Sequence, residues 1–157
     1  MADMLLEQRE GPVTVLTFND PKRANPLSSK LVAELQAALE NSATDSRVRA
    51  IVLTGAGRNF SAGADLAALQ AIGSGGGEAA NREDADNLCR LFETLGGHPK
   101  LTVAAVHGAA VAGGCGLATA CDLVVAEEGA RFAYTEVKIG FLAAMVLTFL
   151  TRRVAGH

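Results

Sequence analysis

The stretch LTVAAVHGAAVAGGCGLATACD, from Leu101 to Asp122, constrains this chain more than any other. Thr102 to Val106 is an apolar, β-branched run, Gly108 and the Gly113-Gly114 pair interrupt it, and Cys115 to Cys121 continue as a small-residue helical pattern. The spacing predicts strand, tight turn and helix. A glycine pair at a helix start lets other atoms approach the backbone closely. It also leaves the first-turn N–H groups facing outward, with the positive end of the helix dipole behind them. A ligand oxygen or an anion suits that position. The purely structural alternative is that the glycines only let the helix cross close to a strand.

A second stretch makes the same construction. Val48 to Thr54 reads as a strand, Gly55-Ala56-Gly57 turns the chain out of it, and Asn59-Phe60-Ser61-Ala62-Gly63-Ala64-Asp65-Leu66 leads into a short helical segment ending near Ile72. Asp65 suits a helix cap better than a catalyst, because Asp is among the preferred capping residues. Two strand-end turns that each present backbone N–H groups could converge on one oxygen, which is how an oxyanion hole is assembled from main chain alone.

The rest of the chain supplies the frame. Val13 to Phe18 reads as the first strand, ending at Asn19-Asp20-Pro21, and Asn25-Pro26-Leu27-Ser28 offers a helix start. Leu27, Leu31, Leu35 and Leu39, with Val32, then repeat at helical spacing. Gly73 to Glu78 reads as a mobile loop near the site in preference to a domain linker. Asp84 to Leu95 places Leu88, Leu91, Phe92 and Leu95 on one helix face, and Gly96-Gly97-His98-Pro99 stops it, with His98 exposed. Leu123 to Ala126 and Arg131 to Tyr134 read as short strands, and Thr135 to Gly140 leads to a last helix, Ala143 to Val154. This alternation implies a single α/β domain over residues 1–157, its sheet buried behind helices. No repeat is visible in the residue string, and it does not reveal the strand order.

Composition narrows the function. In 157 residues, 49% are hydrophobic and 20% charged, which is the balance of a folded chain with a real core. A net charge of −3, with six Phe and one Tyr as the only aromatics, leaves neither a basic footprint nor a stacking platform for nucleic acid. The N-terminus does not read as a secretory signal, and no stretch approaches the ~18 apolar residues of a membrane span. Cys89, Cys115 and Cys121 are odd in number and lack CxxC spacing, so free thiols in a reducing cytoplasm are expected. Cys115, Cys121 and His107 do not make a closed zinc site, and no metal is expected.

In this order, NDPKRANPLS, NFSAGADL, AAVHGAAVAGGCGLATACDLVVAEEGARF and TEVKIGF resemble the successive motifs of the enoyl-CoA hydratase/isomerase family, also called the crotonase superfamily. The resemblance runs from about Val13 to Gly156. It implies a crotonase-like spiral of ββα units, an acyl-CoA thioester as substrate with no separate cofactor, and assembly as a trimer or hexamer. It puts the thioester-binding amides at Ala64 and Gly113, the two turns chosen above, with Ala62, Gly63, Asp65, Gly114 and Gly116 around the substrate. Hydratases of the family use two glutamates; one matches Glu136 and the other falls at Gly116, where this chain has no side chain. One carboxylate can still shuttle a proton between C2 and C4, which is isomerase chemistry, or act with a bound water. Taken alone, Glu136 reads as a solvated charge near a turn.

Family members also continue past the position of Gly156 into helices that close the acyl pocket. The resemblance therefore implies that this chain lacks the usual C-terminal helical region. It is then an oligomer or is completed by a complementary chain, and by itself it exposes apolar surface. Two other readings stand beside the enzyme. One is a non-catalytic acyl-CoA-binding or assembly subunit, favoured by Gly116. The other is a dinucleotide-binding unit, which the absence of strict GxGxxG spacing weakens.

Overall fold

The computed structural model describes residues 3–65, 78–139 and 144–153. In chain order these form β1 (Leu5–Glu10), β2 (Val13–Phe18), a 3-10 turn (Pro21–Arg23), β3 (Pro26–Leu27), α1 (Ser29–Thr44), β4 (Ala50–Gly55), β5 (Gly63–Ala64) and α2 (Glu78–Gly96). Then follow β6 (Leu101–Val106), β7 (Ala109–Val111), α3 (Gly113–Ala120), β8 (Leu123–Ala126), β9 (Arg131–Ala133), a second 3-10 turn (Glu136–Ile139) and α4 (Ala144–Arg153). The helical segment expected up to Ile72 and the glycine run from Gly73 lie outside the described residues.

The architecture is a strand, short strand, helix unit wound repeatedly around one axis. The longer strands form a five-stranded sheet in the order β1-β2-β4-β6-β8, antiparallel between β1 and β2 and parallel elsewhere. The short strands stack beside it as two parallel pairs, β3 with β5 and β7 with β9. A single bridge between Ser61 and Ala110 joins one pair to the next. Strands of two or three residues leave almost no periodicity in a sequence, which is why the repeat is visible only in space.

Alternation along the sheet sets the core. Leu16 and Phe18 of β2, Ile51 and Leu53 of β4, and Ala104 and Val106 of β6 face inward and are buried, while the residues between them are half-buried. Helix α1 presents Leu31, Leu35 and Leu39, and α2 presents Leu91, Phe92 and Leu95, to the same interior. Each such side chain contributes roughly 1.5–3 kcal/mol on leaving water. Ser28 caps α1 by accepting the Leu31 N–H at 3.3 Å, so the helix starts at Ser29, just past Leu27, which belongs to β3.

Three features differ from the sequence expectation. Strand β1 has five of its six residues exposed, so it lacks an apolar signature, and its pairing with β2 specifies it. Its entry is held from α1, where Glu34 Oε2 accepts the N–H groups of Met4 and Leu5, each at 2.9 Å. His98 is half-buried. Its Nδ1 accepts the Lys100 N–H at 3.1 Å, so Nε2 carries the hydrogen and donates to the Leu39 carbonyl at 3.0 Å, tying the end of α2 to α1. Strand β8, expected to lie behind helices, exposes Leu123, Val124 and Val125, and Phe132 of β9 and Val137 are exposed as well.

One polar residue fastens the loops above the sheet. Asn25 is fully buried in a left-handed conformation, φ +54°, which Asn tolerates better than most residues. Its Nδ2 donates to the carbonyls of Ala56, Asn59 and Phe60 at 2.9, 2.8 and 3.3 Å, and its Oδ1 accepts the Asp20 N–H at 2.9 Å. Asn25→Ala leaves these carbonyls without their donor in a dry interior. It is expected to lower unfolding stability by about 3 kcal/mol, read from urea melts.

Candidate active site

The turn between β7 and α3 is strained in a defined way. Ala112 sits at φ +49°, ψ −123°, a region costly for any residue with a Cβ, and it occupies the N-cap of α3. It is held there by its N–H, which donates to the Ala133 carbonyl at 2.7 Å, and by its own carbonyl, which accepts the Gly116 N–H at 3.0 Å. Beyond this cap, the N–H groups of Gly113, Gly114 and Cys115 have no partner within the helix.

The Asn59–Asp65 turn is pressed against this helix start. Ser61 is fully buried; its hydroxyl donates to the Asn25 carbonyl at 2.7 Å and accepts the Gly63 N–H at 3.2 Å. Its backbone exchanges bonds with β7, Ser61 N–H to the Ala109 carbonyl at 3.1 Å and Val111 N–H to the Ser61 carbonyl at 2.9 Å. Each glycine has a specific reason here. A Cβ on Gly114 would lie 2.6 Å from the Ser61 carbonyl oxygen and 2.7 Å from its Cβ. On Gly63, φ +82°, a Cβ would lie 2.5 Å from the Val111 carbonyl oxygen, 2.8 Å from Ala112 Cβ and 3.0 Å from Gly113 N. The glycines of the two motifs therefore exist for each other, and Gly63 and Gly113 are in contact.

Ala62 is exposed and its N–H donates to the Ala24 carbonyl at 2.8 Å. Asp65 pairs with Arg23, Oδ2 to Nη1 at 2.9 Å, and Arg23 also reaches Asp20 at 2.7 Å. The helix that Asp65 was expected to cap lies outside the described residues.

Glu136 opens the 3-10 turn after β9, and the ladder that pairs Val111 with Ala133 brings β9 to the start of α3. The residue is half-buried, and its Oε2 is buried with no hydrogen-bond partner among the described residues. That is the opposite of a solvated charge near a turn. A buried, unpaired carboxylate oxygen is unfavourable and calls for a reason. The groups nearby are neutral donors. Burial pushes the pKa of the Cys115 thiol up, with Glu136 adding to the effect, and burial likewise pushes Tyr134 up to about 12. The Tyr134 hydroxyl lies 2.6 Å from Thr119 Oγ1. Neither Tyr134 nor Thr119 stands out in the sequence, because their pairing spans two elements.

Gly116 is buried on the inner face of α3. A Cβ there would lie 2.7 Å from Val146 Cγ2 and 3.0 Å from Phe92 Cζ, so the space that a side chain would need is filled by apolar groups from α4 and α2. Among the described residues no group of three or more His, Cys, Asp or Glu is arranged to hold a metal ion, and no helix is long and apolar enough to cross a membrane.

Residues 8–157 match the sequence family described as enoyl-CoA hydratase/isomerase. A Thermus thermophilus protein provisionally named an enoyl-CoA hydratase is 52% identical over 150 residues, covering 96% of this chain and 59% of that protein. The 2,3-dehydroadipyl-CoA hydratase of Escherichia coli is 37% identical over 142 residues, covering 88% of this chain and 52% of that one. In structure, an enoyl-CoA hydratase from Shewanella pealeana superposes with a TM-score of 0.91 at 30% identity, over 98% of this chain and 57% of the other. The chain thus spans between half and three-fifths of the length of these relatives.

Two packing predictions follow from the glycine contacts and the strained cap. Ala112→Gly removes the strained Cβ and should stabilise the fold by about 1 kcal/mol, whereas Gly63→Ala should destabilise it by more than that. Gly116→Ala forces Val146 and Phe92 aside and should cost about 1–3 kcal/mol; Gly116→Glu, burying a charge there, should cost more and create no new activity. Thermal and urea melts of the four variants read each sign directly.

Proposed function

The chain belongs to the enoyl-CoA hydratase/isomerase family, and on that premise we propose that it acts on acyl-CoA thioesters by enolate chemistry, with Glu136 as acid and base. The observation that carries this reading is the buried Oε2 of Glu136, without a hydrogen-bond partner among the described residues, on a segment laddered to the start of α3. In the proposed reaction the N–H groups of Ala64 and Gly113 donate to the thioester carbonyl oxygen. Glu136 takes a proton from C2, the electron pair moves into the carbonyl, and the enolate oxygen is held by the two amides. Donors fixed by folding require no reorganisation as that charge develops, which is where such an arrangement lowers the barrier. The contact of Gly63 with Gly113 supports placing both amides at one oxygen.

The protonated Glu136 can return the proton to C4 of a 3-enoyl thioester, moving the double bond into conjugation. Apolar Phe92 and Val146 over Gly116, with no second carboxylate at that position, favour this one-carboxylate shuttle over addition of water. The substrate is the CoA ester itself, and no further cofactor enters. We place the protein in the cytoplasm, with acyl-CoA metabolism as its setting. We also propose assembly as a trimer or hexamer or with a complementary chain, supported by the exposed Leu123, Val124, Val125 and Phe132. Light scattering showing a well-folded monomer with a sharp, reversible melt counts against the assembly.

Glu136→Gln keeps the shape of the side chain and removes the base. It should lower α-proton exchange of an acyl-CoA in deuterated water by at least about 100-fold, with CoA-ester affinity by calorimetry held within about twofold. Retained exchange in Glu136→Gln places the acid/base elsewhere. Tight binding without exchange by the parent chain establishes the non-catalytic acyl-CoA-binding subunit instead.

A further inference from the structure

We propose that Tyr134 is a positioning residue for Glu136, its hydroxyl bolting the β9–Glu136 segment to α3 through Thr119, so that the carboxylate is set against the helix start. The proposal rests on the reading of Glu136 as the acid/base.

Glu136 reaches the site on a short connection. Strand β9 ends at Ala133, and only Tyr134 and Thr135 separate it from the 3-10 turn that Glu136 begins. Backbone contacts fix the first part of this path, through the pairing of Val111 with Ala133 and the Ala112 N–H on the Ala133 carbonyl at 2.7 Å. Past Ala133 the ladder stops. Among the described residues the next attachment is a side chain, the Tyr134 hydroxyl at 2.6 Å from Thr119 Oγ1.

The direction of that bond follows from the rest of the network. Thr119 has one hydroxyl hydrogen, and it goes to the Cys115 carbonyl one turn back in α3, at 2.9 Å. With that hydrogen on the Cys115 carbonyl, the Thr119 oxygen is left to accept from the Tyr134 hydroxyl, which lies near the Cys115 thiol as well. Both tyrosine and thiol remain protonated at neutral pH because burial pushes each up. The bolt is thus neutral and half-buried, and it returns to the first turn of α3, whose N–H groups are the proposed oxyanion donors. Since Glu136 Oε2 has no hydrogen bond among the described residues, its placement depends on the backbone on either side. On the N-terminal side, Tyr134 is what holds that backbone.

The test pairs a positional readout with a chemical one in Tyr134→Phe, Thr119→Val and Thr119→Ser. With glutamate carboxyl carbons labelled by carbon-13, the Glu136 signal is assigned by its loss in Glu136→Gln. Tyr134→Phe and Thr119→Val should move that signal towards those of the exposed glutamates, while Thr119→Ser, which keeps the hydroxyl, should leave it in place. In α-proton exchange, the first two variants should lose about tenfold in kcat with KM within about twofold, and Thr119→Ser should restore the rate. An unmoved Glu136 signal in Tyr134→Phe, or a Thr119→Ser indistinguishable from Thr119→Val, overturns the proposal. If the parent chain shows no Glu136-dependent exchange, the acid/base reading fails by itself, and the carbon signal still decides whether Tyr134 positions Glu136.

Discussion

The whole site depends on two backbones lying closer together than side chains permit. Ser61 is pressed on Gly114, and Gly63 on Ala112 and Gly113, at distances where a Cβ on either glycine would overlap main-chain atoms. This contact is what converts two separate strand-end turns into one feature. It is supported from below by Asn25, which gathers three carbonyls of the 56–60 loop, and by Ser61, whose hydroxyl closes the same knot on the Asn25 carbonyl. From the other side, Ala133 holds Ala112 in its strained conformation. The amide-bearing turns are therefore fixed by folded structure that is complete before any ligand arrives, which is the condition for useful preorganisation.

Legibility in the sequence followed the range of the determining interaction. The stripe Leu31, Leu35 and Leu39 and the alternating strands β2, β4 and β6 were readable, because burial of a periodic face is encoded locally. The glycine turns were readable as well, since Gly63 and Gly114 are required by sterics that leave no other residue type. Strand β1 was not, because its exposed residues carry no apolar period and its register is imposed by β2. Of the short strands only β9 was readable, as Arg131 to Tyr134; β3, β5 and β7 were hidden because two or three residues carry no period, and with them the repeated unit. Ala112 gave no sign of its positive φ, because an alanine is held there only by partners such as the Ala133 carbonyl. The link between Tyr134 and Thr119 spans 15 residues and two elements, beyond the reach of any local pattern.

Gly116 shows how a missing side chain can be a structural fact as well as a chemical one. The resemblance to hydratases makes it the position of an absent glutamate, and on sequence alone the vacancy is ambiguous between lost function and altered function. Packing removes part of that ambiguity. Val146 and Phe92 have closed over the position, with Phe149 beside Phe92 at a ring separation of 6.1 Å, so the interior has been rebuilt around glycine. A carboxylate could not be restored there without displacing buried apolar groups, each of which contributes a few kcal/mol to the core.

Energetic reasoning also bears on whether Glu136 is incidental. An unpaired buried carboxylate oxygen costs roughly 1–3 kcal/mol, and the strained Ala112 costs a similar amount, against a total stability of about 5–15 kcal/mol for a domain of this size. The two features are linked through Ala133, whose carbonyl accepts the Ala112 N–H and which leads the chain into the segment carrying Glu136. Asn25, Ser61 and Thr102 are all fully buried and all hydrogen-bonded, while Gln36 Oε1 in α1 is a second buried acceptor with no partner among the described residues. Around Ala133, then, backbone strain at Ala112 and the open carboxylate oxygen of Glu136 lie on neighbouring segments, an arrangement that suits the proposed thioester site. In the proposed reaction the ligand oxygen would take the two amides and the substrate's acidic C–H would face the Glu136 carboxylate, so binding and the first proton transfer would draw on the same few residues.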